Sequence, residues 1–437
     1  MRPPLSVDVI DAEVEFADGL VAQGAGRVSL LTPLGPTLTF AGEFHGSGFD
    51  VIRTLTQPGG PVHGELFPMP DRRATARAGD LTILGSHIRA IRQCPYSMSR
   101  SPVPIEGEYL MHRCRVGAEV VPDDAVVDVH HIGRGLRHYL FPAGSAATGG
   151  IAGLPIAWRG HTFVLREPER GVREAAPWAE VGTFTVMGPA TPGTDAWWNL
   201  IWPFTLVLGS AVGCPIDVAG WDAFAPERAR WLASEWRPRG KVHDTGCPMP
   251  VGRVAMEGGH RDLAEWVAAG LRSWDEWGPM LGLEVALLYL ENAPGQAEPE
   301  IRCRDLVNAI ERLLIGVCRA RGAPRSNQIS QNLQTVERLL GRGILTGGQD
   351  GERSDLSRFR NRLAHDGGLL DDRDGTMEER QRLVDAEGWL TTCCYRVLAA
   401  IFGADVPLRD LTARGLPRRR PSEGGFTRSP FVPVQAA

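Results

Sequence analysis

The hydrophobic pattern of this 437-residue chain changes period once, near residue 195, and that change divides the fold into two kinds of structure. Before it, apolar residues come in short runs broken by Gly and Pro: Thr37-Leu38-Thr39-Phe40, His63-Gly64-Glu65-Leu66-Phe67, Leu81-Thr82-Ile83-Leu84, Ala125-Val126-Val127-Asp128-Val129, His161-Thr162-Phe163-Val164-Leu165 and Gly182-Thr183-Phe184-Thr185-Val186. β-Branched and aromatic side chains suit a pleated strand, and Pro58-Gly59-Gly60 and Pro122-Asp123-Asp124 supply turns between such runs. A mostly antiparallel β domain is therefore expected over residues 1–195. From residue 197 onward helical periods take over. They predict helices over 223–236, 261–272 and 280–291, then near 300–321, 329–343, 353–366 and 376–403. The expected class is α+β, a β-rich N-terminal domain followed by an all-helical C-terminal bundle. Its parts are 1–195, a helical extension at 196–278 packed on that domain, the bundle at 279–405 and a basic disordered tail at 406–437.

One uncharged stretch, Trp197 to Ile216, approaches membrane-spanning length. Asn199, Pro203, Ser210, Gly209 and Gly213 interrupt it and no basic flank borders it, so a buried core helix is expected and no membrane contact. The N-terminus lacks an apolar targeting core, which points to the cytoplasm. None of the eight cysteines has C-x-x-C spacing, and Cys393-Cys394 lie in an apolar helical run, as reduced buried thiols would. His243-x3-Cys247 lacks a second pair at ligand spacing, so no metal and no cofactor is expected. His130-His131 reads as a surface or packing pair. Trp221, Trp231, Trp236, Trp266, Trp274 and Trp277 read as core or domain-interface packing rather than a base-stacking platform. The net charge of −5 excludes a global basic field, so an RNA partner must be gripped by a local patch. Lys241 is the only lysine, and the arginine bias reads as codon composition.

The chemistry concentrates in Ser357-Arg358-Phe359-Arg360-Asn361-Arg362-Leu363-Ala364-His365-Asp366-Gly367. Leu356, Phe359 and Leu363 at i, i+3 and i+7 form one apolar stripe, and Gly367-Gly368 signals a helix end. The polar residues therefore point off the core. Asn361 and His365, four apart, share a face, so the Asn amide can orient the imidazole, a group that titrates near neutrality. Arg360 lies about 140° around the axis from His365, which favours a site completed by a second subunit. Asp366, directly after His365, suits a structural ion pair as well as catalysis.

This block resembles the R-x4-6-H signature of HEPN domains, all-helical nuclease modules that commonly act as dimers. It is most similar to the ApeA-type anti-phage HEPN proteins, which pair an "RN…H" or "RS…H" helix with an earlier helix carrying an Ala-(Ile/Leu)-Glu core. Here that earlier helix is Glu300-Ile301-Arg302-Cys303-Arg304-Asp305-Leu306-Val307-Asn308-Ala309-Ile310-Glu311-Arg312-Leu313, with Leu306, Ile310, Leu313 and Val317 as its stripe. The resemblance covers 280–405 well and the N-terminal part only loosely. It implies an antiviral, abortive-infection endoribonuclease in which Arg360, Asn361 and His365 form a composite site in a homodimer and cleave RNA without metal. The β-rich domain would then sense a phage-derived trigger or other regulator. Glu311 is read either as a structural carboxylate inside the bundle or as a group facing the cleft. The basic tail is read as a solvated segment or as a means of raising local RNA concentration. The alternative functions are a non-catalytic HEPN-like dimerisation or RNA-docking regulator and the toxin of a toxin–antitoxin pair.

Overall fold

The computed structural model describes residues 6–15, 21–30, 32, 35–44, 73–78, 81–95, 102–118, 120–132, 155–166, 181–213, 215–237, 251, 259–346, 351–365, 377–412 and 418–426. The expected strand at 63–67, the His243/Cys247 spacing and Asp366 lie outside them. The class is α+β, with sheet between residues 6 and 236 and a helical C-terminal half. Two compact units interleave along the chain. Unit 1 comprises 1–133, 160–198 and 217–242; unit 2 comprises 134–159, 199–216 and 243–437.

Unit 1 is built on antiparallel strands β1 (Ser6–Glu15), β2 (Val21–Ser29), β3 (Thr37–Phe44), β4 (Arg73–Ala78), β5 (Leu81–Pro95) and β6 (Val103–Gly117), in the order β3-β2-β1-β4-β5-β6. Because β3 also pairs with β6, from Thr37↔Leu110 to Phe44↔Val103, these strands close into a barrel with no free edge. Val9, Val14, Val28, Leu38, Phe40, Tyr109 and Val116 belong to its core. Phe40 on β3 stands opposite Gly107 on β6. A Cβ at Gly107 would sit 2.5 Å from the Tyr109 ring, and one at Gly42 would sit 2.4 Å from the tip of the Phe40 ring. Each aromatic ring thus lies down over the glycine two residues away, and a side chain there would push it off.

Strand β6 outruns the barrel. Its end, Cys114 to Gly117, pairs with β12 (Trp231–Trp236), which leads on to β11 (Asp217–Phe224), β7 (Val126–Ile132), β10 (Val181–Met187) and β9 (His161–Arg166). The helix expected over 223–236 is therefore absent: its ends are strand and its middle a tight turn. Pro226 holds Ala225 extended (φ −58, ψ 160), and Glu227 and Arg228 follow at positive φ of 61 and 60. Strand partners on both sides of 231–236 override the helix-forming composition of the segment.

This sheet buries a polar stripe. Cross-strand register puts Asp128 and His130 of β7, Thr183 and Thr185 of β10, Asp222 of β11 and Ser234 of β12 on one face. His130 Nε2 lies 2.7 Å from Asp222 Oδ2, and its Nδ1 lies 3.1 Å from Thr183 Oγ1. Ser234 donates to Asp222, and Arg228 grips Asp128 with both terminal nitrogens. Burial alone would push Asp128 up, but Arg228, Thr185 and His130 outweigh it and hold its carboxyl below the usual range. His130 and His131 are thus packing residues rather than surface ones.

His131 is fully buried, stacks on Phe184 at 5.8 Å and has no hydrogen-bond partner at either ring nitrogen among the described residues. Burial, with a smaller push from His130, carries it down from 6.5 to about 3. The unfolded chain therefore takes up a proton below pH 6.5 that the folded one refuses until about pH 3. Stability should fall with acid across that window, by up to about 1.4 kcal/mol per pH unit from this group. Denaturant titrations from pH 7 to pH 4 should show the slope flattening in His131→Leu; an unchanged slope would assign the acid sensitivity elsewhere.

Unit 2 holds the short strand β8 (Ile156–Trp158), most of α1 (Asp195–Val212), and helices α2 (Gly259–Leu281), α3 (Leu283–Asn292), α4 (Pro299–Ala320), α5 (Ile329–Leu340), α6 (Glu352–His365) and α7 (Met377–Phe402). Helix α4 is the hub, packing against α2, α3, α5, α6 and α7. Leu306, Ile310, Leu313 and Val317 are all buried, as their spacing requires. The apolar stretch from Trp197 forms α1, and its Ser210 is absorbed by the core: Trp266 Nε1 donates to its hydroxyl at 3.1 Å and the Tyr395 hydroxyl to its carbonyl at 2.8 Å. No helix among the described residues is long and apolar enough to cross a membrane.

Within the segment expected to be a disordered tail, residues 406–412 and 418–426 are ordered. Strand β13 (Leu408–Arg409) pairs with β14 (Arg418–Arg419), and Val406 and Leu408 are buried. Its charges find partners that composition does not reveal: Arg418 reaches Asp262 of α2 at 3.2 Å, and the Ser422 hydroxyl donates to Asp405 at 2.6 Å. Phe426 lies 4.8 Å from the Arg396 guanidinium.

Candidate functional site

Helix α6 is held from both ends of its apolar stripe. Leu356, Phe359 and Leu363 are buried, and the Phe359 ring stacks on Trp389 of α7 at 5.4 Å. At its start, buried Glu352 accepts the Thr346 backbone N–H at 2.9 Å and pairs with Arg396 of α7 at 2.6 Å. The carboxylate also complements the positive end of the helix dipole. Arg353 pairs with Glu337 of α5 at 2.7 Å, and Glu337 accepts the backbone N–H groups of Ile344 and Leu345 at 2.7 and 3.0 Å. The α5–α6 connection is thereby clamped, which fixes where the rest of α6 points.

Near the end of α6 Arg360 is half-buried and Asn361 exposed, whereas Glu352 and Asp355 in its first turn are buried. Arg360 turns toward α4, where its Nε donates to Glu311 Oε1 at 3.0 Å. Both side chains are partly open, 31% and 26% exposed, so the pair sits at the surface of the bundle rather than within it. Among the described residues the two Nη nitrogens of Arg360 have no other hydrogen bond, leaving the outer edge of its fork available. Glu311 thus makes its hydrogen bond at the surface of the bundle, to Arg360.

His365 is the last residue of α6, with its side chain outside the described set. Its backbone position, one turn beyond Asn361, puts those two residues on one face, and Arg360 lies about 140° away. Within one chain the helix thus presents the arginine and the histidine in different directions. Sequence reading overlooked Arg304 and Asn308, which share the Glu311 face of α4 at i, i+4 and i+7. The signal was available in that spacing once Glu311 is placed at the surface. Among the described residues no group of three or more His, Cys, Asp or Glu side chains is placed to hold a metal ion.

No protein-family model, curated protein or solved structure matches this chain.

Proposed function

We propose that the protein is a metal-independent endoribonuclease of the HEPN kind, acting as a homodimer through unit 2 in antiviral defence. The observation that carries this reading is the Arg360–Glu311 pair: it anchors the arginine by Nε alone and leaves the two Nη groups for a phosphate, on the helix that ends in His365. RNA brings its own nucleophile, the 2′-hydroxyl. The enzyme then needs a base for that proton, an acid for the departing 5′-oxygen and cations for charge on the phosphorane. His365 is the group suited to proton transfer near neutrality, Asn361 orients it, and Arg360 binds the non-bridging oxygens. Two subunits provide two imidazoles, one for each transfer, and the angular separation of Arg360 and His365 is the reason to expect a composite cleft. The products are a 2′,3′-cyclic phosphate and a 5′-hydroxyl.

The second reading, a dimerisation or RNA-docking bundle without catalysis, draws on the same pair, because a partly exposed Arg–Glu contact between helices is also an ordinary structural device. End-labelled RNA incubated with the full-length protein in EDTA separates them. Cleavage leaving cyclic-phosphate ends, by a species that light scattering shows to be a dimer, is expected. Cleavage lost in chelator and restored by magnesium would overturn the mechanism, and RNA binding without cleavage would favour the docking reading.

A further inference from the structure

A chain with a net charge of −5 can hold RNA only where positive charge collects locally. The densest arginine run, Arg418 to Arg420, is already engaged: Arg418 reaches Asp262, Arg419 lies 3.8 Å from Asp410 and Arg420 donates to the Asp405 carbonyl. A second concentration lies between α4 and α6. Residues 319–346 carry Arg319, Arg321, Arg325, Arg338 and Arg342 against one carboxylate, Glu337. That carboxylate is buried and is occupied internally by Arg353 and by the backbone N–H groups of Ile344 and Leu345. The exposed surface of this segment therefore carries no acid. Arg321 is held by Glu276 at 3.3 Å and lies 4.6 Å from the Trp277 ring. Arg319, Arg325, Arg338 and Arg342 are exposed and pair with no carboxylate among the described residues; Arg338 touches only the Thr335 hydroxyl, at 3.3 Å.

Helix α5 displays these cations together with amides. Its Ile329, Leu333 and Val336 are buried, so Gln331, Gln334 and Arg338, at i, i+3 and i+7, form one exposed row about 10 Å long. The loop before the helix is fixed to that row. Buried Asn332 accepts the Ser326 N–H and donates to the Ser326 carbonyl, both at 2.8 Å, while the Ser326 hydroxyl donates to Gln331 Oε1 at 2.6 Å. The Gln328 N–H closes on the same hydroxyl at 3.0 Å. Arg325 thus leads into a turn whose backbone is set before any ligand arrives.

We propose that the exposed face of α5 with the loop before it, comprising Arg325, Gln331, Gln334, Arg338 and Arg342, is a docking surface for single-stranded RNA that grips the strand by its phosphates. The choice of RNA as the polyanion rests on the reading under which the protein acts on RNA; the surface itself includes none of Arg360, Asn361 and His365. Guanidinium forks match phosphate oxygens, and glutamine amides, which both donate and accept, suit 2′-hydroxyls and unpaired base edges. Charges spread from Arg325 to Arg342, along the whole of α5, suit an extended strand rather than a compact anion. A protein partner fits less well, since protein interfaces centre on apolar side chains and the row from Gln331 to Arg338 has none.

Binding is read apart from cleavage in the full-length His365→Ala protein, with a fluorescein-labelled oligouridylate of about 20 nucleotides whose anisotropy is followed from about 50 to about 200 mM salt. Saturable binding is expected, with affinity falling steeply as salt rises. Arg325→Gln/Arg338→Gln should weaken it about 10- to 100-fold at the low-salt end and reduce the slope of log K against log salt by about 1.4, two phosphate contacts at about 0.7 each. Neither arginine has a carboxylate partner among the described residues, so the melt should not move. Gln334→Arg adds a cation to the row and should tighten binding and steepen the slope, a change of opposite sign that damage to the fold would not produce. In the active protein the double variant should raise KM at unchanged kcat. Absence of cleavage by the wild type together with these slope changes would remove the nuclease reading and leave the surface standing. A slope unchanged in both variants, no binding at the low-salt end, or displacement of the RNA by polyglutamate of equal length as readily as by unlabelled RNA overturns the proposal, whether or not the protein cuts RNA.

Discussion

Replacing His365 by Ala is expected to abolish RNA cleavage while leaving the thermal melt of the purified protein unchanged. General acid–base catalysis contributes roughly 10²–10⁴-fold in rate, and a composite site loses both imidazoles at once, so the loss should reach the assay floor. The residue closes α6 beyond its last buried position, Leu363, and the helix is held by Leu356, Phe359 and the Glu352 clamp instead. Arg360→Ala should abolish cleavage likewise. It strands Glu311, but that carboxylate is open to water and can be solvated, so folding should tolerate the change. Arg360→Lys is more discriminating: it preserves a charge for Glu311 and loses the fork. A clamp on the transition state should then cost about 1–3 kcal/mol of barrier, or about 5- to 150-fold in rate, whereas simple attraction of RNA would be nearly indifferent. Wild-type cleavage by His365→Ala would end the nuclease reading and leave the bundle as a dimerisation or docking module.

What could be read from the sequence follows the range of the interactions involved. Helices α4 to α7 were legible almost to their ends because an apolar stripe and its terminators are local features. The forecast 329–343 overran only because Gly341, at φ +66, ends α5 at Leu340 before the next apolar residues arrive. The segment 223–236 was misread for the opposite reason. Ala, Glu, Arg and Leu give it a helical composition, while its conformation is set by pairing of β12 with β11 on one side and β6 on the other. Closure of the barrel is likewise a property of register between β3 and β6, which no local pattern encodes. The site divides the same way. Arg360, Asn361 and His365 stand out as a motif within one helix. The partnership of Arg360 with Glu311 requires α4 and α6 to be packed. The order of residues 405–412 and 418–426 was hidden because arginines read as solvated until the acids opposite them, Asp262 and Asp410, are in place.

Arg396→Met should be the most damaging single change among the ion pairs of unit 2. Its guanidinium is only 10% exposed and faces Glu352, 4% exposed, at 2.6 Å, while also donating to the Ile344 carbonyl and lying against Phe426. Methionine fills much of the same volume, so the loss is electrostatic: Glu352 keeps its backbone donor at Thr346 but becomes a buried charge without a counterion. Breaking a buried pair from one side costs about 3–5 kcal/mol, which for a protein of this size lowers the melting temperature by roughly 3–5 °C. The double variant Glu352→Gln/Arg396→Met removes the stranded charge and should recover much of that loss, since a neutral pair need not be compensated. The consequence reaches the site through geometry. Glu352 is the first residue of α6, so loosening it frays the helix that fixes the direction of Arg360, and cleavage should fall in the single variant at temperatures well below its melt. If Arg396→Met melts within about 1 °C of wild type, the clamp is not what holds α6, and the stacking of Phe359 on Trp389 must carry that task alone.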